Sequence, residues 1–475
     1  MWVRVPPSAL GDEGRIHPPP AFHRFGSVKH ILLVNPWIYD FTAYDFWLKP
    51  LGLLQIGAIV RQYTGCQIHL IDCLDRFHPG LQKSYRSKPD GRGPLPKEEV
   101  AKPEVLKFVP RRFSRYGLPL DVFKEELART PTPEAVLVTC SLTYWYPGVQ
   151  LVCELVRQRF GQVPIILGGI YPTLLPEHAR RYSGADIIIS GPGENQVLPW
   201  LKTILGDRLV QERKFEGLDD LPLPAYDLLR NTETLPIITS RGCPFRCSYC
   251  ASSLLFPGFE QKRPQQVIAD IQLLTTKMRC QNLAFYDDAL LIGSRFHFKP
   301  ILKGLIDCSF SLSLHSPNGL HVQAIDGELA QLMKAAGFKS IYLSQESLDP
   351  SWLKEYSPKV SPENLKEALY NLEMAGFDRQ QLNVYLLVGL PGQDWEQIKK
   401  DVREILSSGL KPRLAYFSPI PGTREWEKVV EAGILQEDSD PLLQNKIAFL
   451  YKQGEEVISR LREVEKILRE EGRKD

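Results

Sequence analysis

Two separate series of short apolar runs alternate with helix-length stretches along this chain, and that alternation confines it to parallel sheets covered by helices. In the first series HILLVN, CQIHLIDCL, AVLVTCSL, VPIILGG and ADIIIS read as strands. The last three are nearly continuous apolar runs, as expected of strands buried on both faces. LGLLQIGAIVRQY, PGVQLVCELVRQRF and PEHARRY read as the helices between them, so residues 28–205 are predicted to form a doubly wound, Rossmann-like α/β domain. Residues 79–115 interrupt the pattern with Pro, Gly and mixed charges and are expected to run over the surface. Residues 1–27, rich in Pro and Gly, read as a leader.

LDDLPLPAYDLLR lies within a linker spanning residues 206–235. Beyond it PIITSRG, NLAFYDDA, SLSLHSPNG, SIYLSQES, LNVYLLVGLPG and PRLAYFSPIPGT read as six further strands with their loops. Six βα units over residues 236–425 are fewer than the eight of a closed barrel, so an open, partial (β/α)6 barrel with a wide mouth is predicted. Residues 426–475 alternate apolar and charged positions at helical spacing and are expected to form a helical C-terminal segment that caps the barrel.

The 475 residues allow two or three domains at roughly 100–200 residues each. No apolar run is long enough to span a bilayer, and the N-terminus has Pro and charges where a signal peptide needs apolar residues, so a cytoplasmic location is expected. A net charge of +2 supplies no field that would gather nucleic acid. Nine cysteines, an odd number, disfavour a complete disulfide framework and favour metal ligands or buried thiols.

RGCPFRCSYCA places Cys243, Cys247 and Cys250 in CxxxCxxC spacing directly after a predicted strand, at the rim where βα barrels carry their chemistry. So short a loop can direct three thiolates at three corners of one iron–sulfur cubane and leave the fourth iron open. A zinc clip is the alternative, but it would need a fourth ligand, and no second CxxC or HxxxH follows. The loops after the first-series strands, carrying Asn35, Thr139, Ser141, Gly168, Gly169, Gly193 and Glu194, suit the close approach of a large ligand, although glycines there also make ordinary turns.

The cysteine loop, with Tyr249 before the last cysteine, resembles that of the radical S-adenosylmethionine (SAM) superfamily, and the resemblance extends over residues 236–425. It implies a 4Fe-4S cluster on Cys243, Cys247 and Cys250, with SAM on the open iron and cleavage to a 5′-deoxyadenosyl radical. Carried over position by position, it implies SAM contacts by Tyr249, by Asp287 and Asp288 in place of the common Gly-Gly-Glu, by Glu346 and Ser347, and by Val388 and Gly389 near adenine. Residues 28–205, through LLVNP, PLGLLQIGAIVRQ, LGGIYPTLLPEHA and GPGE, resemble the cobalamin-binding domain of a large subfamily. That implies cobalamin held among Asn35, Thr139, Ser141, Gly168, Gly169, Gly193 and Glu194, without a cobalt-ligating histidine, since DxHxxG is missing.

Together the resemblances imply methyl transfer to an unactivated carbon of a small-molecule, lipid or peptide substrate, with an electron donor such as flavodoxin or ferredoxin. The alternatives are a cobalamin-independent radical SAM oxidoreductase, a methylthiotransferase-like enzyme, or a non-catalytic cluster or corrinoid carrier. Cys66, Cys73, Cys140 and Cys153 could suggest the cluster domain of a methylthiotransferase, but their places beside strands and within a helix read as buried thiols.

Overall fold

A computed structural model describes residues 28–83 and 85–472, so the expected leader lies outside the described residues. The first sheet contains β1 (His30–Asn35), β2 (Gln67–Asp72), β3 (Ala135–Cys140), β4 (Ile165–Gly169) and β5 (Ile187–Ile188), all parallel in the order β2-β1-β3-β4-β5. Alternate residues serve its two faces. Leu32, Val34, Val136 and Val138 enter one apolar core, while Ile31, Leu33, Ala135 and Leu137 enter the other. The helices Tyr146–Phe160 and Leu51–Thr64 supply apolar residues to these two cores respectively. The strand order reverses between β1 and β3, which opens a crevice at their carboxyl ends.

The second sheet runs β6 (Thr234–Ile237), β7 (Asn282–Phe285), β8 (Ser313–His315), β9 (Phe338–Glu346), β10 (Leu382–Val388) and β11 (Lys411–Tyr416), all parallel and in sequential order. β6 and β11 are its two ends, which makes it the partial barrel expected from six βα units. The first of its covering helices, Pro264–Met278, buries Val267, Ile271 and Leu274.

The excursion runs over the surface as expected, but it is pinned there by buried side chains. Leu106, Val109 and Phe113 are buried in the first domain's core. Short strands at Ile38–Asp40, Lys97–Glu99 and Ser114–Tyr116 make an antiparallel sheet that pairs part of the excursion's backbone. Its neighbours enter the amino end of the barrel: Trp47 stacks on His315 of β8 at 4.8 Å, and Arg92 Nη1 donates to Tyr342 Oη of β9 at 2.8 Å. The buried pair Arg76 Nε to Asp45 Oδ2, at 2.7 Å, holds this plug from behind.

The C-terminal segment does more than cap the barrel. Its last helix, Glu455–Glu471, packs on the barrel helix Trp395–Ser407. Upstream, Trp426, Leu442 and Phe449 join the core of the first domain. Asn445 Nδ2 donates to Asp40 Oδ1 at 3.0 Å and Tyr146 Oη donates to Asp440 Oδ1 at 3.2 Å, so the segment straps both units together. Trp47→Ala should lower stability by about 3–5 kcal/mol in denaturant titration, because Trp47 is 1% exposed and its removal leaves a large cavity.

Candidate active site

The strap and the plug hold the carboxyl ends of both sheets against one cleft of about 400 Å³. From the first domain come Thr139, Ser141, Gly168, Gly169, Gly193 and Glu194; from the barrel come Ser240, Arg241, Gly242 and Asp288. Its inner wall is apolar, with Leu53, Ile56, Leu137, Ile166, Ile189 and Val197. Protein interiors are close-packed, so an open apolar slot of this size beside polar loop ends has the make-up of a ligand site.

Two adjacent glycines serve different purposes. Gly169 has φ +101°, and a Cβ there would stand 2.7 Å from Cys140 O and 2.9 Å from Thr139 Oγ1, so the turn itself requires glycine. A Cβ on Gly168 would meet nothing nearer than Ile189 at 4.0 Å, so its missing side chain instead leaves room in the cleft. Glu194 adds a second sign of a ligand. Its Oε1 accepts from Arg241 Nη2 at 2.6 Å, while its buried Oε2 has no partner. Bare backbone, an apolar slot and an unused acceptor fit a large ligand that is rich in amide donors, as cobalamin is.

Asn35 lies apart from this set. Its Nδ2 donates to Asp72 Oδ1 at 2.7 Å, joining the ends of β1 and β2, and it lines a smaller adjoining hollow. Burial pushes the Asp72 carboxyl up to about 6, against the pull of Lys49 and of this hydrogen bond.

Cys243, Cys247 and Cys250 share the loop that follows β6, with Cys247 buried and Cys250 exposed. Ser248 N donates to Tyr356 O at 3.0 Å, Tyr249 Oη donates to Ser357 Oγ at 3.3 Å, and Cys247 Sγ lies 3.7 Å from that same oxygen. Tyr249 thus braces the loop. Burial raises the Cys243 and Cys247 thiols, and at Cys247 the Lys359 ammonium works in the opposite direction, towards the thiolate that iron requires. Among the described residues no three His, Cys, Asp or Glu side chains gather tightly enough to hold one ion. Ligands to three separate irons of a cubane stand wider apart than ligands around a single ion, so three thiols on one loop still fit a cluster.

The two aspartates after β7 part company. Asp287 accepts from Thr239 N, Thr239 Oγ1, Ser240 N and Ser240 Oγ at 2.5–3.0 Å through Oδ1, which fixes the end of β6 just ahead of the cysteines. Burial pushes its carboxyl up to about 6 despite these donors. Asp288 faces the cleft, where it accepts from Ser252 Oγ at 2.8 Å.

Glu346 holds φ +68° at an irregular step in the β9–β10 register, a conformation costly for a residue other than glycine. Its Oε1 accepts from Ser344 Oγ at 2.7 Å and from Lys359 Nζ at 3.2 Å. Ser347 instead donates to Asp401 Oδ2 at 2.8 Å and accepts from Asp349 N at 3.1 Å, so its hydroxyl is used within the protein. Val388 is fully buried, and a Cβ on Gly389 would come within 2.6 Å of Leu450, so this turn is shaped by the C-terminal strap.

Three residues of the site escape sequence reasoning. Arg241 lies inside the cysteine motif, where only the thiols carry a spacing signal. Lys359 reaches Glu346 from a loop with no motif of its own. His321 packs its ring on Phe245 at 4.8 Å and is kept neutral by burial, which pushes its pKa down to about 3. Asp287→Ala should cost about 3 kcal/mol by leaving buried donors unpaired, read as a fall in the denaturation midpoint. Asp288→Ala should leave that midpoint within about 0.5 kcal/mol, as exposed substitutions usually do.

A family model described as the radical SAM superfamily matches residues 237–405, and one described as a B12 binding domain matches residues 121–198. An uncharacterized methyltransferase of Pyrococcus horikoshii is 24% identical over 338 residues, covering 64% of this chain and 71% of that protein. The bacteriochlorophyllide d C-8(2)-methyltransferase of Chlorobaculum tepidum is 24% identical over 302 residues, covering 57% of this chain and 63% of that protein, just under two thirds of its length. The radical SAM methyltransferase TsrM of Kitasatospora setae, solved with cobalamin and a 4Fe-4S cluster bound, has a similar fold. The TM-score is 0.65 at 14% identity, covering 92% of this chain and 91% of that one.

Proposed function

We propose that the chain is a cobalamin-dependent radical SAM methyltransferase acting on a carbon of a small-molecule substrate, because a radical SAM superfamily model matches residues 237–405 and a B12 binding domain model matches residues 121–198 ahead of them. The observation that carries this reading is the shared cleft, where Thr139, Gly168 and Glu194 of one domain face Ser240, Arg241 and Asp288 beside the cysteine loop of the other. When bound, the cluster supplies the electron that cleaves SAM, and cobalamin supplies the methyl group.

The chain's own residues hold and orient these groups. Cys243, Cys247 and Cys250 take three irons, with Tyr249 bracing their loop. Asp288, rather than Asp287, is the carboxylate free to receive the SAM amino group. Glu346, set by Ser344 and Lys359, receives the ribose hydroxyls, and the Val388–Gly389 turn lies by adenine. Thr139, Ser141, Gly168, Gly169, Gly193 and Glu194 line the corrin side. Cys66, Cys73, Cys140 and Cys153 are all buried, and burial pushes the Cys140 and Cys153 thiols up to about 12, so the methylthiotransferase-like reading gains no second set of thiolates from them.

The names of the relatives support methyl transfer, while the substrate's identity lies in the barrel mouth. A flavodoxin or ferredoxin as electron donor and a cytoplasmic location complete the reading. Among the described residues no helix is long and apolar enough to cross a membrane. The test is reductive turnover of SAM by anaerobically reconstituted protein. The wild type should release 5′-deoxyadenosine, and Cys247→Ala should lose both iron and that product, since two thiolates hold a cubane poorly. Unchanged 5′-deoxyadenosine from Cys247→Ala would refute the assignment.

A further inference from the structure

We propose that Glu194 and Arg241 form a bridge that couples corrin binding in the first domain to the cysteine loop of the barrel, an inference that rests on the two-cofactor reading above. Glu194 sits on the loop after β5, and Arg241 lies two residues ahead of Cys243. Their side chains are 11% and 18% exposed and meet at 2.6 Å, so solvent screens the pair only weakly. The Arg241 end of the bridge is anchored. The Arg241 guanidinium also lies over the Phe256 ring at 5.0 Å, and its backbone pairs with Glu260. Displacing Glu194 therefore pulls on a residue that is tied directly to the first cysteine.

Glu194 has a second face. The residue is 8% exposed, its Oε2 is buried without a partner, and it lines the cleft. A buried carboxylate oxygen lacking a donor is costly, and a donor arriving there is favoured accordingly. The corrin periphery carries primary carboxamides, whose N–H groups are such donors. One carboxylate then accepts from the corrin through Oε2 and from Arg241 through Oε1. A ligand that fixes Glu194 also fixes Arg241 and with it the start of the cluster loop. Glu194 and Arg241 act as positioning residues, and linkage makes the effect reciprocal: a loaded cluster tightens corrin binding by the same factor.

The experiment compares hydroxocobalamin affinity of the full chain in cluster-free and cluster-loaded forms, with iron content as the loading control. The wild type should bind roughly fivefold or more tightly when loaded. Arg241→Ala should lose that ratio, whatever its cluster-free affinity. Glu194→Ala should weaken cluster-free binding by roughly tenfold and lose the ratio too. Arg241→Lys keeps the charge without the planar fork and should give an intermediate ratio, which also covers the case in which the alanine variant loads iron poorly. An undiminished ratio in Arg241→Ala and Arg241→Lys, or wild-type affinity in Glu194→Ala, overturns the bridge. A wild type that binds hydroxocobalamin equally in both forms overturns the bridge and leaves the two-cofactor reading standing, whereas one that binds none overturns both.

Discussion

The arrangement of the site depends on one apolar core that belongs to both halves of the chain. Phe417, Trp426, Leu442 and Phe449, all beyond the first five barrel strands, pack in the same cluster as Val34, Val138 and Leu167 of the first sheet. Burial of these side chains contributes about 1.5–3 kcal/mol each, so the two sheets cannot part without exposing several of them. The plug at the amino end of the barrel, with Trp47 on His315 and Arg92 on Tyr342, adds a second attachment on the far side. With both in place, the carboxyl ends of the two sheets have to face one another.

Within that frame, hydrogen bonding separates residues that build the site from residues available to a ligand. Asn35, Asp287 and Ser347 find partners inside the protein and hold strand ends in place. Glu194 and Asp288 line the cleft, Glu194 with a buried oxygen that has no partner, and Gly168 keeps a bare backbone there. The distinction follows from the cost of leaving a buried polar atom unpaired, which a protein tolerates chiefly where something else supplies the partner.

The fold was legible because parallel strands covered on both faces leave continuous apolar runs, and HILLVN, AVLVTCSL and LNVYLLVG are such runs. The anchoring of the 79–115 excursion was not, since its Pro, Gly and charged residues show no period and are fixed by contacts far away in sequence, such as Arg92 with Tyr342. In the site, the cysteine spacing could be read directly. Telling Asp287 from Asp288 could not, because neighbouring residues at a strand end point to opposite sides and only the tertiary register says which side is the cleft. Arg241 and Lys359 acquire meaning only once Glu194 and Glu346 have been brought beside them.

The central claim is that one chain holds an iron–sulfur cluster and a corrinoid across a single cleft. Anaerobic reconstitution with iron, sulfide and hydroxocobalamin, followed by metal and corrinoid analysis of the desalted protein, tests it most directly. The account predicts about four irons and one retained cobalamin per chain. Iron without retained cobalamin would contradict it, leaving a radical SAM barrel whose first domain has another task.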